Sequence, residues 1–158
     1  MRIDAHVTGR IADLVPIFER NRFDACVSAG AGDHPLVVAH EPVAPPPTLE
    51  FLVKHPDTRA ALVLSPDVLE LARYPNIYVK LIVTPELKGL AAEALAAYGP
   101  DRAMFASGWP ECLSWKLMLA SFTQACGPLP QSLREKLLGG TAAAFYKLLP
   151  SASYSIKE

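Results

Sequence analysis

The sequence predicts an α/β fold with a mostly parallel sheet. Short apolar runs alternate with helix-type segments along the chain, which is the pattern of repeated strand–helix units. The runs are continuously apolar, as in NIYVKLIV at residues 76–83, and such strands are buried on both faces. With 158 residues, 51% of them apolar, the chain can form one substantial core. We expect a single domain over residues 1–150 and a flexible tail over residues 151–158.

The strands follow from these runs and from the turn residues that bound them. The predicted strands cover residues 2–7, 24–28, 36–39, 59–64, 76–83 and 103–106. The second strand leads into a glycine-rich turn at residues 30–32. The third runs into HEPVAPPPT, whose prolines exclude a helix interior or a central strand and indicate a stiff connecting loop.

Capping and breaking residues place the helices. The predicted helices cover residues 12–20, 48–55, 67–73, 85–98, 114–126, 132–138 and 142–149. Thr48 is expected to cap the second helix, which stops at Pro56. Pro85 suits the first turn of the fourth helix. Gly139 and the glycine after it are expected to end one helix, and Thr141 to cap the last.

Charge and hydropathy narrow the range of partners. The net charge is −1, with 15 Lys and Arg against 16 Asp and Glu, so no basic field points to nucleic acid. No apolar run approaches the roughly 20 residues of a membrane span. The N-terminus lacks a signal pattern, and Cys26, Cys112 and Cys126 form no paired motif. These features predict a cytoplasmic protein with reduced thiols.

Four segments carry a resemblance to a known family. IDAHV at residues 3–7, ARYPNIYVKL at 72–81 and YGPDRAMFASGWPEC at 98–112 are similar to that family's first, seventh and eighth strands, and LGGTAAAFYKL at 138–148 to its closing helix. The chain thus resembles the amidohydrolase-2 group, the lactonase-like branch of the TIM-barrel metal-dependent hydrolases. The resemblance covers roughly the first 30 residues and nearly everything after residue 66.

The resemblance implies a shortened, partial TIM-barrel-like fold. Eight strand–helix units need about 250 residues, and this chain has room for about five. The segment LVVAHEPVAPPP at residues 36–47 is similar to the family's sixth strand, which would put His40 at a substrate or metal position. Otherwise this segment is a plain connection.

Two departures from the family pattern bear on its chemistry. The family opens with His-x-His, which supplies two metal ligands, but here His6 is followed by Thr8, a far poorer ligand. The family's eighth strand ends in Ser-Asp-Trp-Pro, whose Asp binds metal or activates water, but here Gly108 replaces the Asp. We therefore predict no metal and no cofactor. We expect Gly108 to face the pocket at a position where an aspartate would fit.

The candidate site residues follow from these motifs. Catalytic roles are predicted for His6, His40 and Glu111. Substrate-binding roles are predicted for Thr8, Lys80, Gly108 and Trp109. Lys80 is a charge within a buried strand and needs a partner or a wet cavity.

Each candidate has a structural alternative. His6 could be a hydrogen-bonded core histidine, and Glu111 a solvated loop carboxylate. Asp4 is expected to anchor the start of its strand rather than to act in the site.

Three functions remain open at this point. One is an amidohydrolase-related hydrolase that acts on a small cyclic ester (lactone) or a related carboxylated substrate. The candidate residues above would orient that substrate or take up a proton. The second is a catalytically degenerate homologue that serves as a binding or assembly module. The third is a small metal-free enzyme that catalyses a cyclisation or a dehydration.

The expected partners are a small molecule and further copies of the chain, with no nucleic acid and no membrane. The Ala/Leu-rich helices KGLAAEALAA and KLMLASF are expected to contribute to self-association.

Overall fold

The computed structural model describes residues 1–29, 34–41, 47–111 and 114–148. The predicted tail at 151–158, the glycine-rich turn at 30–32, Cys112 and most of the proline-rich loop lie outside the described residues.

Within these ranges six strands form two parallel sheets of three strands each. In the first sheet β2 lies between β1 and β3, and in the second β5 lies between β4 and β6. The strands are β1 (Ile3–Val7), β2 (Ala25–Ser28), β3 (Val37–His40), β4 (Ala60–Val63), β5 (Ile77–Leu81) and β6 (Ala103–Phe105). The predicted α/β fold with parallel strands is confirmed, and each of the six predicted strands is present.

Helices connect the strands. They are α1 (Val15–Asn21), α2 (Leu49–Lys54), α3 (Lys88–Tyr98), α4 (Trp115–Cys126), α5 (Gln131–Glu135) and α6 (Thr141–Phe145), with 3₁₀ segments at Ile11–Leu14, Pro66–Arg73 and Pro85–Leu87. The predicted cap of α2 is confirmed, because the Thr48 hydroxyl accepts a hydrogen bond from the Phe51 amide at 3.2 Å. None of the helices in the described ranges has the length and apolar character to cross a bilayer.

The predicted break before the last helix is present as a kink, because Gly139 has a non-helical backbone (φ 179°, ψ −33°) within the wide helical turn Lys136–Gly140 between α5 and α6. The predicted cap is wrong, because the Thr141 hydroxyl donates to the Pro100 carbonyl at 2.6 Å and makes no capping hydrogen bond. Gly139 also allows close packing. A Cβ at this position would lie 2.2 Å from the Met1 carbonyl oxygen, so the start of the chain passes directly over this turn.

The two sheets meet where β1 lies beside the end of β6. Val7 forms a parallel bridge with Trp109, and the Gly108 amide donates to the His6 carbonyl at 3.0 Å. The spatial order is therefore β3–β2–β1–β6–β5–β4, an open arc of a barrel. The assignment of residues 36–47 to a sixth strand is wrong, because β3 pairs with β2 while β4 occupies the place next to β5.

The arc separates two layers of apolar side chains. On the outer side, between strands and helices, the rings of Phe23 and Trp115 meet edge to face at 4.9 Å, and those of Phe105 and Phe122 at 5.2 Å. Small and medium side chains fill the inner side. They include Ile3, Ala5, Ala25, Val27, Met104 and Ala106. The bulky outer layer and the small inner layer leave room inside the arc.

A buried carboxylate holds the junction between the sheets. Asp4 is fully buried, and it accepts hydrogen bonds from the Ser107 amide at 2.9 Å, the Trp115 indole nitrogen at 2.8 Å and the His6 amide at 3.3 Å. Burial raises the pKa of Asp4, and the hydrogen bonds from Ser107, Trp115 and His6 oppose this. Asp4 thus joins β1, the end of β6 and α4, in line with the predicted anchoring role.

Gly108 has a conformational role at the same junction. Its φ of +69° lies in the left-handed region that favours glycine, and a Cβ would lie 3.3 Å from Ile82 Cγ2. The expectation that an aspartate fits here without strain is therefore wrong. The backbone turn that carries the Gly108 amide to β1 needs a residue without a side chain.

We expect Asp4→Asn to lower the free energy of unfolding by about 2–4 kcal/mol. An amide keeps a single acceptor oxygen and turns its NH₂ group toward buried N–H donors, so at least one of them loses its partner. Urea denaturation measures this. Asp57→Asn is the matched control, because Asp57 is exposed and should change stability by no more than about 0.5 kcal/mol. An equal effect of both substitutions would contradict the role of Asp4 at the junction.

We expect Gly108→Ala to destabilise the protein by about 1–2 kcal/mol, because alanine is strained at this positive φ. Gly89→Ala is the control. Gly89 lies in α3, and a Cβ atom added there would have no neighbouring atom within 4 Å. Alanine at this position should therefore be neutral or stabilising by about 0.5–1 kcal/mol. Chemical denaturation of the two variants side by side measures the difference, and a harmless Gly108→Ala would show that the turn tolerates a side chain.

Candidate active site

A cavity of about 400 Å³ lies inside the arc, on the side where β3 and β4 face each other without a strand between them. It is lined by His6, Ala29, His40, Glu41, Pro47, Arg59, Ala60, Ala61, Leu62, Val63, Lys80, Phe145 and Tyr146. His6, His40 and Lys80 come from the carboxyl-terminal parts of β1, β3 and β5. Ligands bind at this end of parallel sheets in α/β proteins.

A bulge in β1 directs His6 into the cavity. Asp4 pairs with Cys26 and Val7 with Ser28, so β1 uses three steps where β2 uses two. The extra residue breaks the strict alternation of the strand. Asp4 can therefore contact Trp115 on the outer side while His6, two residues later, lines the cavity on the inner side.

The environment of His6 favours a neutral imidazole. Burial lowers the pKa of His6, the charge of Lys80 lowers it further, and Glu41 and Glu111 partly oppose both effects. Its Nδ1 atom is buried and has no hydrogen-bond partner among the described residues. A neutral imidazole with an unpartnered nitrogen can accept a proton or bind a polar group of a ligand.

Lys80, Glu41 and Tyr146 form a polar cluster in the cavity wall. Glu41 Oε1 accepts hydrogen bonds from both the Lys80 ammonium and the Tyr146 hydroxyl. The Lys80 ammonium also lies 5.9 Å from the centre of the Tyr146 ring. Burial lowers the pKa of Lys80, against the hydrogen bond and charge of Glu41. Burial and the bond to Glu41 raise the pKa of Tyr146, which stays a phenol.

Arg59 adds a second fixed cation to the cavity. Its guanidinium donates to the Phe145 carbonyl at 3.0 Å and lies 5.4 Å from the centre of the Phe145 ring. These contacts hold Arg59 against the end of α6. Lys80 and Arg59 together outnumber the single carboxylate, Glu41, among the lining residues. The cavity is therefore electrostatically suited to an anion.

The structure brings three of the seven predicted site residues together in the cavity and does not bring the other four into it, of which Gly108 lies at the junction between the two sheets. His6, His40 and Lys80 line the cavity. The Thr8 hydroxyl instead donates to the Trp109 carbonyl at 3.0 Å.

The remaining two belong to the turn after β6. Trp109 lines a separate cleft on the outer side, next to Trp115. Glu111 is exposed in the turn that follows, and its amide donates to the Gly108 carbonyl at 3.0 Å.

The residues present do not fit the metal site that the resemblance implies. Thr8 is engaged by a backbone carbonyl, and Gly108 has no ligand atom. The ammonium of Lys80 acts on His6 as a nearby positive charge, which disfavours a cation there. In the described ranges, no three His, Cys, Asp or Glu side chains are grouped so as to hold a metal ion.

Sequence reasoning missed three polar residues that line the cavity. Glu41 and Arg59 sat in segments interpreted as a loop and a strand start, and Tyr146 lay in a helix with an apolar pattern. A buried Lys80 did signal that a partner must exist, but the sequence could not say which acidic residue supplies it. That pairing depends on how the segment after β3 turns toward β5.

Comparison with known proteins agrees with this fold. An amidohydrolase family model matches residues 24–148. No curated protein sequence matches the chain.

Several solved structures share the fold. An amidohydrolase from Burkholderia multivorans with bound zinc has a TM-score of 0.73 at 17% identity, over 94% of this chain and 100% of the other. Amidohydrolase 2 from Bifidobacterium longum subsp. infantis has a TM-score of 0.67 at 13% identity, over 92% and 98%. A candidate 2-pyrone-4,6-dicarboxylic acid hydrolase from Pseudomonas putida has a TM-score of 0.54 at 15% identity, over 92% and 97%. At these identities the likeness concerns the fold alone.

The family model covers most of the described chain, from the start of β2 to the end of α6. Together with the order of the motifs along the strands, this match shows that the chain belongs to the amidohydrolase family.

Proposed function

We propose that the protein is a hydrolase that opens a small cyclic ester, or cleaves a related carboxylated substrate, without the metal site usual in its family. The observation that carries this proposal is the convergence of His6, His40 and Lys80 on one cavity at the carboxyl ends of the strands. The likeness to a candidate 2-pyrone-4,6-dicarboxylic acid hydrolase supports a cyclic ester that bears carboxylates.

The charges of the cavity support an anionic substrate. A carboxylate on the substrate can pair with the Arg59 guanidinium, while Lys80 donates a hydrogen bond to the ester carbonyl. The apolar wall formed by Ala61 and Leu62 suits a small ring. In this arrangement Arg59 holds the carboxylate end of the substrate, and Lys80 polarises the carbonyl group that reacts.

Proton transfer falls to the neutral imidazole of His6. It accepts a proton from water as the water oxygen attacks the carbonyl carbon, and the carbonyl π electrons move onto the oxygen near Lys80. When the tetrahedral intermediate collapses, the ring C–O bond breaks and the leaving oxygen takes up the proton. His40 lines the same cavity and Glu111 acts on His6 as a negative charge, so both can assist this step. Thr8, Gly108 and Trp109 form the turn that holds the end of β1 and thereby position His6.

We further propose that the protein works in the cytoplasm as a homo-oligomer. Cys26 and Cys126 are free thiols, which suits a reducing compartment. The strands β3 and β4 each have one unpaired edge in the described part of the chain, and proteins cover such edges. Large apolar side chains are exposed beside this open side. They are Leu49, Phe51, Val53 and Val63. An assembly role is the second candidate function, and this exposed surface is what favours it.

We expect the purified protein to hydrolyse small lactones that carry a carboxylate, and to keep this activity after dialysis against a chelator. His6→Gln should lower kcat by about 10²–10⁴-fold, because it removes the proton acceptor. His55→Gln is the control, since His55 is exposed and stacks on Phe51 away from the cavity. A lactone panel monitored by product formation, with elemental analysis of the same samples, tests both parts of the proposal.

The pH profile provides an internal check. The pKa of His6 is lowered below its ordinary value of 6.5, so the imidazole is neutral and active at pH 6.5 and above. The rate should fall only at lower pH, as His6 takes up a proton. Activity that appears only after zinc is added would contradict a metal-free site, and a wild-type protein inactive on every lactone with or without zinc would leave the assembly role as the better function.

We expect light scattering at micromolar concentration to give at least twice the chain mass of 17.1 kDa. Phe51→Lys should weaken the association, because it puts a charge into the apolar surface beside the open side. Leu117→Lys probes the alternative surface, since Leu117 is similarly exposed but lies on α4, in the KLMLASF segment that the sequence also favours for self-association. A monomeric wild-type protein, or equal effects of the two variants, would contradict an interface at the open side.

A further inference from the structure

Lys80 is unusual among the basic residues of this chain. It is 2% exposed, and no other lysine or arginine in the described ranges is buried. It lies near the carboxyl end of β5 and lines the cavity rather than the packed core. Burial of an ammonium group costs free energy, so this position calls for an explanation beyond packing.

A purely structural ion pair explains the position poorly. Breaking a buried pair is destabilising, but replacing both charges by apolar groups of similar volume is often neutral or stabilising. The partner, Glu41, keeps 24% of its side chain exposed, so the pair sits at the boundary between wall and cavity. A lysine in such a place is solvated by one carboxylate and is open to a ligand in the cavity.

We propose that Lys80 is a nucleophilic amine that forms an imine with an aldehyde or a 2-oxo acid bound in this cavity. This activity goes beyond ester hydrolysis, because it joins the protein covalently to a carbonyl carbon and needs no water as nucleophile. Its chemistry requires a neutral amine, a nearby group that moves protons, and a site for the substrate beside them. The structure supplies a buried amine, a carboxylate hydrogen bonded to it and a cavity beside both.

The proton path runs through Glu41. Lys80 gives a proton to the Glu41 carboxylate, with which it is hydrogen bonded, and the freed lone pair attacks the carbonyl carbon. The π electrons of the C=O bond move to oxygen, which takes the proton back from Glu41 to give a carbinolamine. A second proton then moves from nitrogen to the hydroxyl, water leaves with the C–O bonding electrons, and the C=N bond forms. No oxidant, reductant or other reactant is consumed.

The surroundings support each part of this step. Burial lowers the pKa of Lys80 from its ordinary value of 10.5, whereas at that value fewer than about one amine in 10³ is neutral at pH 7. The Tyr146 hydroxyl donates to the same Glu41 oxygen and keeps the carboxylate oriented. The Arg59 guanidinium, which faces the same cavity, can pair with the carboxylate of a 2-oxo acid.

Reductive trapping tests the proposal directly. The wild-type protein is incubated at neutral pH with pyruvate, or with glycolaldehyde as an uncharged probe, in the presence of sodium cyanoborohydride. Intact mass and peptide mapping then locate any adduct. We expect one adduct per chain, with the mass of the probe less water plus two hydrogens, on the peptide that carries Lys80. Modification there should be at least about tenfold faster than at Lys54, as the lower pKa provides more neutral amine.

Two variants sharpen the test. Lys80→Arg keeps the positive charge and a partner for Glu41 but cannot form the imine, so the specific adduct should disappear. Lys54→Met is the matched control, because Lys54 is also paired with a glutamate, Glu50, at 2.5 Å, but on the exposed surface of α2. It should leave the adduct at Lys80 unchanged.

Each contrary result overturns the proposal. These are no adduct with either probe, an adduct spread over surface lysines according to their exposure, or the same single adduct in Lys80→Arg. Peptide mapping of the wild-type chain decides the question even if Lys80→Arg fails to fold. The measurement records a covalent adduct rather than ester hydrolysis, so its failure leaves the hydrolase proposal standing. Faster trapping with pyruvate than with glycolaldehyde would identify 2-oxo acids as the substrate class.

Discussion

The buried carboxylate of Asp4 is the contact on which the rest of the structure depends. The six strands of the described residues do not close a barrel of eight, so the two sheets need another way to stay together. Asp4 supplies it by accepting hydrogen bonds from a backbone amide after β6 and from the indole of Trp115 on α4. Because the acceptor is a fully buried carboxylate group, these bonds are short and directional. They fix β1 against β6 at the point where the cavity begins.

The same junction explains why the turn after β6 departs from the motif of the resemblance. The Gly108 amide donates to the His6 carbonyl, and the Thr8 hydroxyl donates to the Trp109 carbonyl. These polar groups therefore join β1 to the turn after β6. A left-handed φ at Gly108 makes that turn possible. The loss of the aspartate and of the second histidine is therefore coupled to structure. In this shortened arc, Thr8 and Gly108 occupy the positions of the motif's ligand residues, and they join β1 to the turn after β6 instead.

Much of the fold could be predicted from the sequence because it rests on local signals. Apolar runs located all six strands to within about two residues, and Thr48 marked the start of α2 through its own side chain. The kink at Gly139 was predicted correctly, but its close contact with Met1, almost the whole chain away, could not be predicted from a local signal. The place of β3 was missed for a similar reason, since its sequence resembles a sixth strand and only pairing with β2 decides its position.

The candidate site was less predictable, because it depends on register and on contacts distant in sequence. A period of two would put His6 on the same face as Asp4, and only the bulge in β1 separates them. Lys80 could be recognised as a charge that needs a partner. That partner, Glu41, lies 39 residues from Lys80 and 105 residues from Tyr146 along the chain. A one-residue shift of the segment after β3 would remove the carboxylate and leave the ammonium unpaired. The fold must therefore set this register accurately.

The open side of the arc and the buried lysine are two consequences of one shortening. In a closed barrel the strands beyond β3 and before β4 would cover the cavity. Here the Glu41 carboxylate, just after β3, accepts hydrogen bonds from both Lys80 of β5 and Tyr146 after α6. This cluster closes the wall with polar groups, which is a costly way to replace apolar strands. It also leaves an amine, a carboxylate and a phenol facing a cavity that small anions can enter. A wall that had only to exclude water would be better built from apolar side chains, so the polar cluster is best understood as part of the chemistry of the cavity.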